Sequence, residues 1–214
     1  MGKVKSGRRY DSARRKEQAR QTRAAILEAA QRLFAERGYA SSTIEAIASE
    51  AGVAIDTVYA GFGTKRGVLS SLMDIRVGGD DQPVGVLDRP GPQQVRREPS
   101  QRRQLAAFAT DVTAIIERSR PVDDIIRSAA AVDGEIAAMR SGLHESRFQN
   151  MRRFVGWLCA NGPLRQGISE AEAAGIVWSL TSPEVHRLLR VDRGWSPKRY
   201  SEWLAETLTR TLLP

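Results

Sequence analysis

Between Thr22 and Met73 the chain sets glycines and hydroxyl residues at the junctions of four short segments with apolar stripes. That punctuation leaves little room for any fold except a compact helix–turn–helix with a supporting helix on either side. The stretch reads TRAAILEAAQRLFAERGYASSTIEAIASEAGVAIDTVYAGFGTKRGVLSSLM. Ile26, Ala30, Leu33 and Phe34 fall on one helical face, and Gly38 is placed as a left-handed stop. Ser42-Thr43-Ile44-Glu45 has the S-x-x-E form of a capping box, so a second helix is expected from Thr43, with Ile44, Ile47 and Ala48 inward. Ala51-Gly52-Val53 supplies the turn, where glycine is free to take the φ of a sharp reversal. A third helix over about Ile55 to Gly61 points Val58 and Phe62 inward and Asp56, Thr57 and Ala60 outward. Thr64 then caps a fourth, over Lys65 to Arg76, whose inner face is Val68, Leu69, Leu72 and Met73.

These residues resemble the DNA-binding domain of the TetR family of transcriptional regulators. The resemblance rests on Ile26…Leu33-Phe34…Gly38-Tyr39, on Ser42-Thr43-Ile44…Ile47-Ala48…Ala51-Gly52-Val53, and on Thr57-Val58-Tyr59…Phe62…Lys65. It is specific over roughly residues 20 to 75, and beyond them continues only as a general layout of helices. It implies that the third helix enters the major groove and that Lys65 and Tyr59 bind backbone phosphate. Two positions depart from the family's habit. Ala54 stands where Ser or Thr usually caps the recognition helix, and Gly61 where His or Tyr usually touches phosphate.

Charge is distributed as a nucleic-acid-binding end requires. Of the formal net charge of +8, the first 76 residues hold 14 Lys and Arg against 8 Asp and Glu, and the first 25 alone hold 9 against 2. Residues 1–19 read as a basic arm, partly disordered, in front of a DNA-binding domain over 20–76. Val53 to Thr64 contains no Lys or Arg, so the Coulombic attraction must come from Lys65, from Arg14 to Arg23, and from the amino end of the second helix at Ser42 and Thr43. Base reading falls to Ile55, Asp56, Thr57 and Ala60. Ile55, Ala60 and the Thr57 methyl suit thymine methyls; Asp56 either accepts from cytosine N4 or serves the dipole of its own helix.

Residues 77–214 read as a second, larger helical domain. Val77 to Ser100 holds four of the nine prolines and reads as a connector with one helical turn near Gln93 to Arg97. Helical spacing resumes at Leu105, Phe108, Ala109, Val112, Ile115 and Ile116 and is expected to stop before Pro121. Ile125, Ile126, Ala129, Ala130 and Ile136 form a next segment, opened by Asp123-Asp124 in its first turn. Phe148 to Leu158 forms another, closed by Asn161-Gly162-Pro163. Further helices start near Ser169, at Pro183 and at Pro197. No period-two run persists anywhere, so the fold class is all-α, a three-helix DNA-binding domain joined to a larger helical bundle.

In the family this half binds a small effector and forms the dimer. Phe108, Val112, Ile115, Ile126, Met139, Met151, Phe154 and Trp178 are the candidate pocket lining, with His144 and Arg147 one turn apart for an anionic ligand. The scarcity of charge among them leans toward an apolar or aromatic effector. Trp178, Val185, Leu188, Leu189, Tyr200, Trp203, Leu204 and Leu208 are the candidate dimer interface, with the subunit's own core as the competing assignment.

Other chemistries find little support. Gly61-Phe62-Gly63-Thr64-Lys65 lacks the spacing of a nucleotide-binding loop. His144 and His186 sit on separate segments and Cys159 has no histidine at ligand spacing, so neither a catalytic set, a metal nor a cofactor is expected. One cysteine excludes an internal disulfide, and no apolar run approaches a membrane span, which makes the cytoplasm the default. The partners expected are double-stranded DNA, a second copy of the chain and a small molecule. A sequence-indifferent DNA coater and a helical carrier or enzyme that has lost DNA binding are the rival readings.

Overall fold

The computed structural model describes residues 7–214, with side chains from Arg14 onward; the first part of the expected arm, residues 1–6, lies outside the described residues. All regular structure among them is helical. Among the described residues no helix is long and apolar enough to cross a membrane. Two compact units meet between Leu72 and Met73, four residues before the expected boundary.

The first unit contains α1 (Gly7–Ser41), α2 (Ile44–Ala51), α3 (Ile55–Phe62) and the start of α4 (Lys65–Gly78). Residues 7–19, expected as part of a loose arm, are instead the opening turns of α1. Arg, Lys, Ala, Glu and Gln are good helix formers, and Glu17 pairs with Arg20 and Gln21 at helical spacing. Ile26, Ala30, Leu33, Phe34, Ile47, Val58 and Leu69 close the core with almost no exposure. Gly38 interrupts α1 where a stop was expected, at φ 78 and ψ 160, a positive φ outside the left-handed helical region, and one more turn follows to Ser41. The cap of α2 also differs from the S-x-x-E reading. Thr43 is the N-cap, accepting from the Ala46 N–H at 3.1 Å, while Ser42 is buried and donates to the Gly38 carbonyl at 2.8 Å. Gly52 ends α2 in the left-handed region, at φ 68 and ψ 34, which makes the turn. Ala54 leaves α3 without a side-chain cap, and Thr64 caps α4 by accepting from the Gly67 N–H.

In the second unit a short 3-10 turn (Val86–Asp88) leads to α5 (Pro90–Arg97), a longer helix than the single turn expected. Proline in its first turn costs no hydrogen bond, which lets it start so early. Then follow α6 (Gln101–Ala130), α7 (Gly134–Cys159), α8 (Glu170–Leu180), α9 (Pro183–Arg187) with a π-turn over Leu188–Asp192, and α10 (Pro197–Leu212). The expected break before Pro121 does not occur, because α6 runs through it. An interior proline costs about 3 kcal/mol. Ile116, Val122, Ile125 and Ile126 all lie buried on the same helix, and at roughly 1.5–3 kcal/mol per buried side chain their packing outweighs that loss. Asp123 and Asp124 consequently sit in mid-helix and not in a first turn. Ile136 belongs to α7, whose start is fixed by Asp133 accepting from the Glu135 and Ile136 N–H groups at 2.9 and 3.1 Å. Ser169 and Glu172 form a reciprocal capping box at the start of α8.

α10 packs lengthwise on α6, and α7 packs on both α6 and α8. Their shared core contains Leu105, Phe108, Phe154, Leu158, Val177, Leu204 and Leu208, with the Phe108 and Phe154 rings stacked 3.8 Å apart. The buried Gln104 amide is satisfied on both sides, donating to the Val95 carbonyl and accepting from Asn161.

Candidate functional site

In the first unit one small helix carries the exposed chemistry. Val58, with no exposed surface, anchors α3, and the opposite face presents Ile55, Asp56, Thr57, Tyr59 and Ala60. Ile55 is 41% and Tyr59 47% exposed, an unusual outlay of large side chains for eight residues. Thr43, on the rim of α2, is also exposed, whereas Ser42 is buried and its hydroxyl spent on Gly38.

The two cations singled out from the sequence are held inside this unit. Lys65 Nζ donates to the carbonyls of Tyr39 at 2.8 Å and Ser42 at 2.9 Å, and lies 4.2 Å from the centre of the Tyr39 ring. It fastens the end of α1 to the start of α4. Arg23 stacks on Phe62 at 4.4 Å and donates to the Gly61 carbonyl and the Ser71 hydroxyl. A shallow depression of about 950 Å³ beside α3 brings Arg14, Arg15, Gln18 and Thr22 of α1 together with Thr57, Ala60 and Gly61. Arg14 and Arg15 therefore lie nearer the exposed face of α3 than the sequence alone reveals. Open space surrounds Gly61 where a Cβ would stand.

The second unit holds a charged interior where an apolar cavity was expected. Asp123 is buried, and that burial, reinforced by nearby Glu184, holds its carboxyl above the ordinary range despite the opposing Arg140 guanidinium. Arg140 donates to Glu184 at 2.7 Å, and Arg187 reaches Asp124 at 3.2 Å. Burial pushes Arg147 down to about 10, so it stays charged at neutral pH; it donates to the Trp178 carbonyl at 2.7 Å and lies 4.7 Å from that indole's centre. His186 is fully buried with Nε2 2.8 Å from Glu117 Oε1, and Arg190 clasps the same carboxylate. Burial holds the His186 imidazole below its ordinary value, ahead of the opposing pull of Glu117.

The candidate pocket lining separates accordingly. Phe108, Val112, Ile126, Met151 and Phe154 are plain core, Met139 is half-buried, and Ile115 borders a different depression beside Asp111 and Arg118. His144 and Trp178 do come together. With Phe148, Arg127, Arg140, Ser141, Glu145 and three alanines they border an open groove of about 700 Å³. The lean toward a lining without charge is thus corrected, since two guanidiniums flank the space. Arg140, His144 and Phe148 recur at intervals of four, a helical stripe of mixed chemistry that the sequence displays and that apolar periodicity alone does not pick out.

The interface candidates separate too. Tyr200, Leu204 and Leu208 have no exposed surface at all, because α10 turns that stripe into its own subunit, where the Tyr200 hydroxyl donates to the Leu180 carbonyl. They are therefore core and not interface. Leu188 is 57% exposed, while Trp178, Val185, Leu189 and Trp203 are half-buried.

Residues 26–72 match the family model described as bacterial regulatory proteins, tetR family. Over 206 residues the chain is 29% identical to the HTH-type transcriptional repressor BepR of Brucella suis, covering 93% of this chain and 95% of that protein. A shorter stretch of 61 residues, 28% of the chain and 29% of the relative, is 44% identical to the HTH-type transcriptional regulator TtgR of Pseudomonas putida. Among solved structures, NalD of Pseudomonas aeruginosa, described as the secondary repressor of the MexAB-OprM multidrug efflux pump, superposes with a TM-score of 0.68 at 25% identity, over 90% of this chain and 96% of NalD. A complex of SmeT with triclosan shares the fold, with a TM-score of 0.68 at 22% identity over 90% and 92% of the two chains. With a tetR-family match over the helix–turn–helix and a likeness along nearly its whole length to a transcriptional repressor, the chain is similar to the DNA-binding transcriptional regulators of the TetR family.

Proposed function

We propose that this regulator is a repressor that binds a palindromic operator as a homodimer and leaves it when a small molecule occupies the second unit. The observation that carries the reading is the exposed face of α3. Ile55, Thr57 and Ala60 offer methyl contacts for thymine, and Tyr59 a phenol for phosphate, on a helix held by Val58. With no guanidinium or lysine from Val53 to Thr64, affinity per half-site is modest, which favours a dimer reading two half-sites about 34 Å apart. Arg14 and Arg15, beside α3 in the α1 depression, and the exposed Thr43 supply phosphate contacts. Lys65 and Arg23 act mainly by holding the unit in shape. Dimer contacts fall to Leu188, with the half-buried Val185, Leu189 and Trp203 beside it.

Release by ligand has a physical route in the second unit. Arg118 of α6 donates to the Arg76 and Val77 carbonyls at 3.3 Å, at the end of α4, the helix whose first turns belong to the DNA-binding unit. A ligand that shifts α6 therefore moves the end of α4, and one that prefers the shifted state draws the population off DNA. The relatives' roles as repressors, and the triclosan bound by SmeT, support this reading.

The test is selection of random duplex DNA on the purified protein at two salt concentrations, followed by sequencing. A palindrome with fixed half-site spacing that survives the higher salt is expected. Enrichment without any motif, vanishing at the higher salt, overturns the reading in favour of a phosphate binder.

A further inference from the structure

The groove at the carboxyl end of α6 has the chemistry of a site for a particular kind of molecule. Trp178 and Phe148 form one wall, edge to face with ring centres 6.2 Å apart. The indole is braced: its Nε1 donates to the His144 carbonyl, and the Arg147 guanidinium lies over it. An aromatic wall fixed in advance offers stacking area at little entropic cost. Ala130, Ala131 and Ala137 also border the groove, and their short side chains leave a space of about 700 Å³.

The polar rim decides the sign of the guest. Its carboxylate, Glu145, already accepts from the Gln149 amide at 2.6 Å. Arg140, on the rim, holds Glu184 through Nη2 and lies near the buried Asp123, while its Nη1 takes no acceptor among the described residues. A guanidinium N–H left open beside an aromatic wall gains a charge-assisted bond when a ligand brings an oxygen. Arg127, ion-paired with Asp124 at 3.6 Å, adds a second guanidinium to the rim.

We propose that this groove binds a planar aromatic compound carrying a carboxylate or phenolate oxygen, with the ring against Trp178 and Phe148 and the oxygen toward Arg140. The assignment rests on the reading of the second unit as the effector-binding part. It supplies the effector's chemical class and its seat.

The probe is 2-naphthoate, titrated calorimetrically into the full chain beside its uncharged analogue 2-naphthalenemethanol and its saturated analogue decahydronaphthalene-2-carboxylate. One naphthoate per chain is expected, with each analogue about tenfold weaker, the loss of a charge-assisted hydrogen bond or of ring stacking respectively. Ser141→Trp fills the groove from an exposed position and is expected to abolish binding while leaving unfolding unchanged. Arg140→Met is expected to weaken naphthoate and spare the alcohol. No naphthoate binding, equal binding of all three compounds, or undiminished binding to Ser141→Trp overturns the proposal. Naphthoate binding that Ser141→Trp blocks, without any effect on DNA retention, upholds the site and instead refutes release by ligand.

Discussion

Replacing Lys65 by methionine separates two roles that the same residue is able to play. Methionine keeps most of the stem and removes the ammonium. In the structure that ammonium makes two short charge-assisted bonds, to Tyr39 and Ser42, plus a longer one of 3.5 Å to Ala40 and a contact with the Tyr39 ring. Bonds to a charged group contribute about 1.5–3 kcal/mol each, and an exposed cation–ring contact about 0.5–1 kcal/mol. Lys65 is only half-buried, so water replaces part of what is lost, and about 2–3 kcal/mol is the expected cost to the first unit. For a unit of this size 1 kcal/mol moves the midpoint by about 4–8 °C, so a fall of roughly 10 °C or more is expected. All four tryptophans lie in the second unit, so the assay is hydrogen exchange on peptides from α1 to α3, alongside calorimetry. Operator binding is measured in parallel across a salt series. If the fastening role is right, exchange accelerates and the salt slope stays put. A slope reduced by about one, with exchange unchanged, refutes the reasoning and returns Lys65 to a phosphate.

Other substitutions test other parts. Ala54→Ser supplies α3 with the missing cap and is expected to stabilise the first unit by about 0.5–1 kcal/mol in chemical denaturation. Gly61→Ala enters open space in a helix and is expected to add about 1 kcal/mol by the same measurement, whereas Gly52→Ala, at φ 68, is expected to cost about as much. Arg118→Met unties α6 from the end of α4; operator affinity is expected to hold while the ligand concentration needed for release rises, and an equal loss of both would contradict the coupling. His186 is held below its ordinary value, so the unfolded chain takes up the proton first. Wild type is therefore expected to lose stability relative to His186→Gln as pH falls below about 6.5, read from denaturation midpoints at each pH.

What the sequence disclosed depends on whether a decision was local. Gly52, Thr64, Ser169 and the spacing of Ile26, Leu33 and Phe34 act within a turn or two, so the first unit and most helix starts were legible. The passage of α6 through Pro121 is not legible in the sequence, because the proline's cost is local while the compensation, the buried stripe from Ile116 to Ile126, comes from packing. Thr43 took the cap because Ser42 had a better partner in Gly38. The inward turn of Tyr200, Leu204 and Leu208 was equally hidden, since an apolar stripe does not say whose core it enters. The same holds for Lys65 and Arg23, whose positive charge pointed outward to phosphate until carbonyls 23 to 38 residues away claimed it.

The inward stripe of α10 also bears on how far each chain depends on a second copy. Because α10 buries its leucines inside its own subunit, the apolar surface left for a second copy to cover shrinks to Leu188 and its half-buried neighbours. The less apolar surface a partner must cover, the less the stability of each chain depends on protomer concentration.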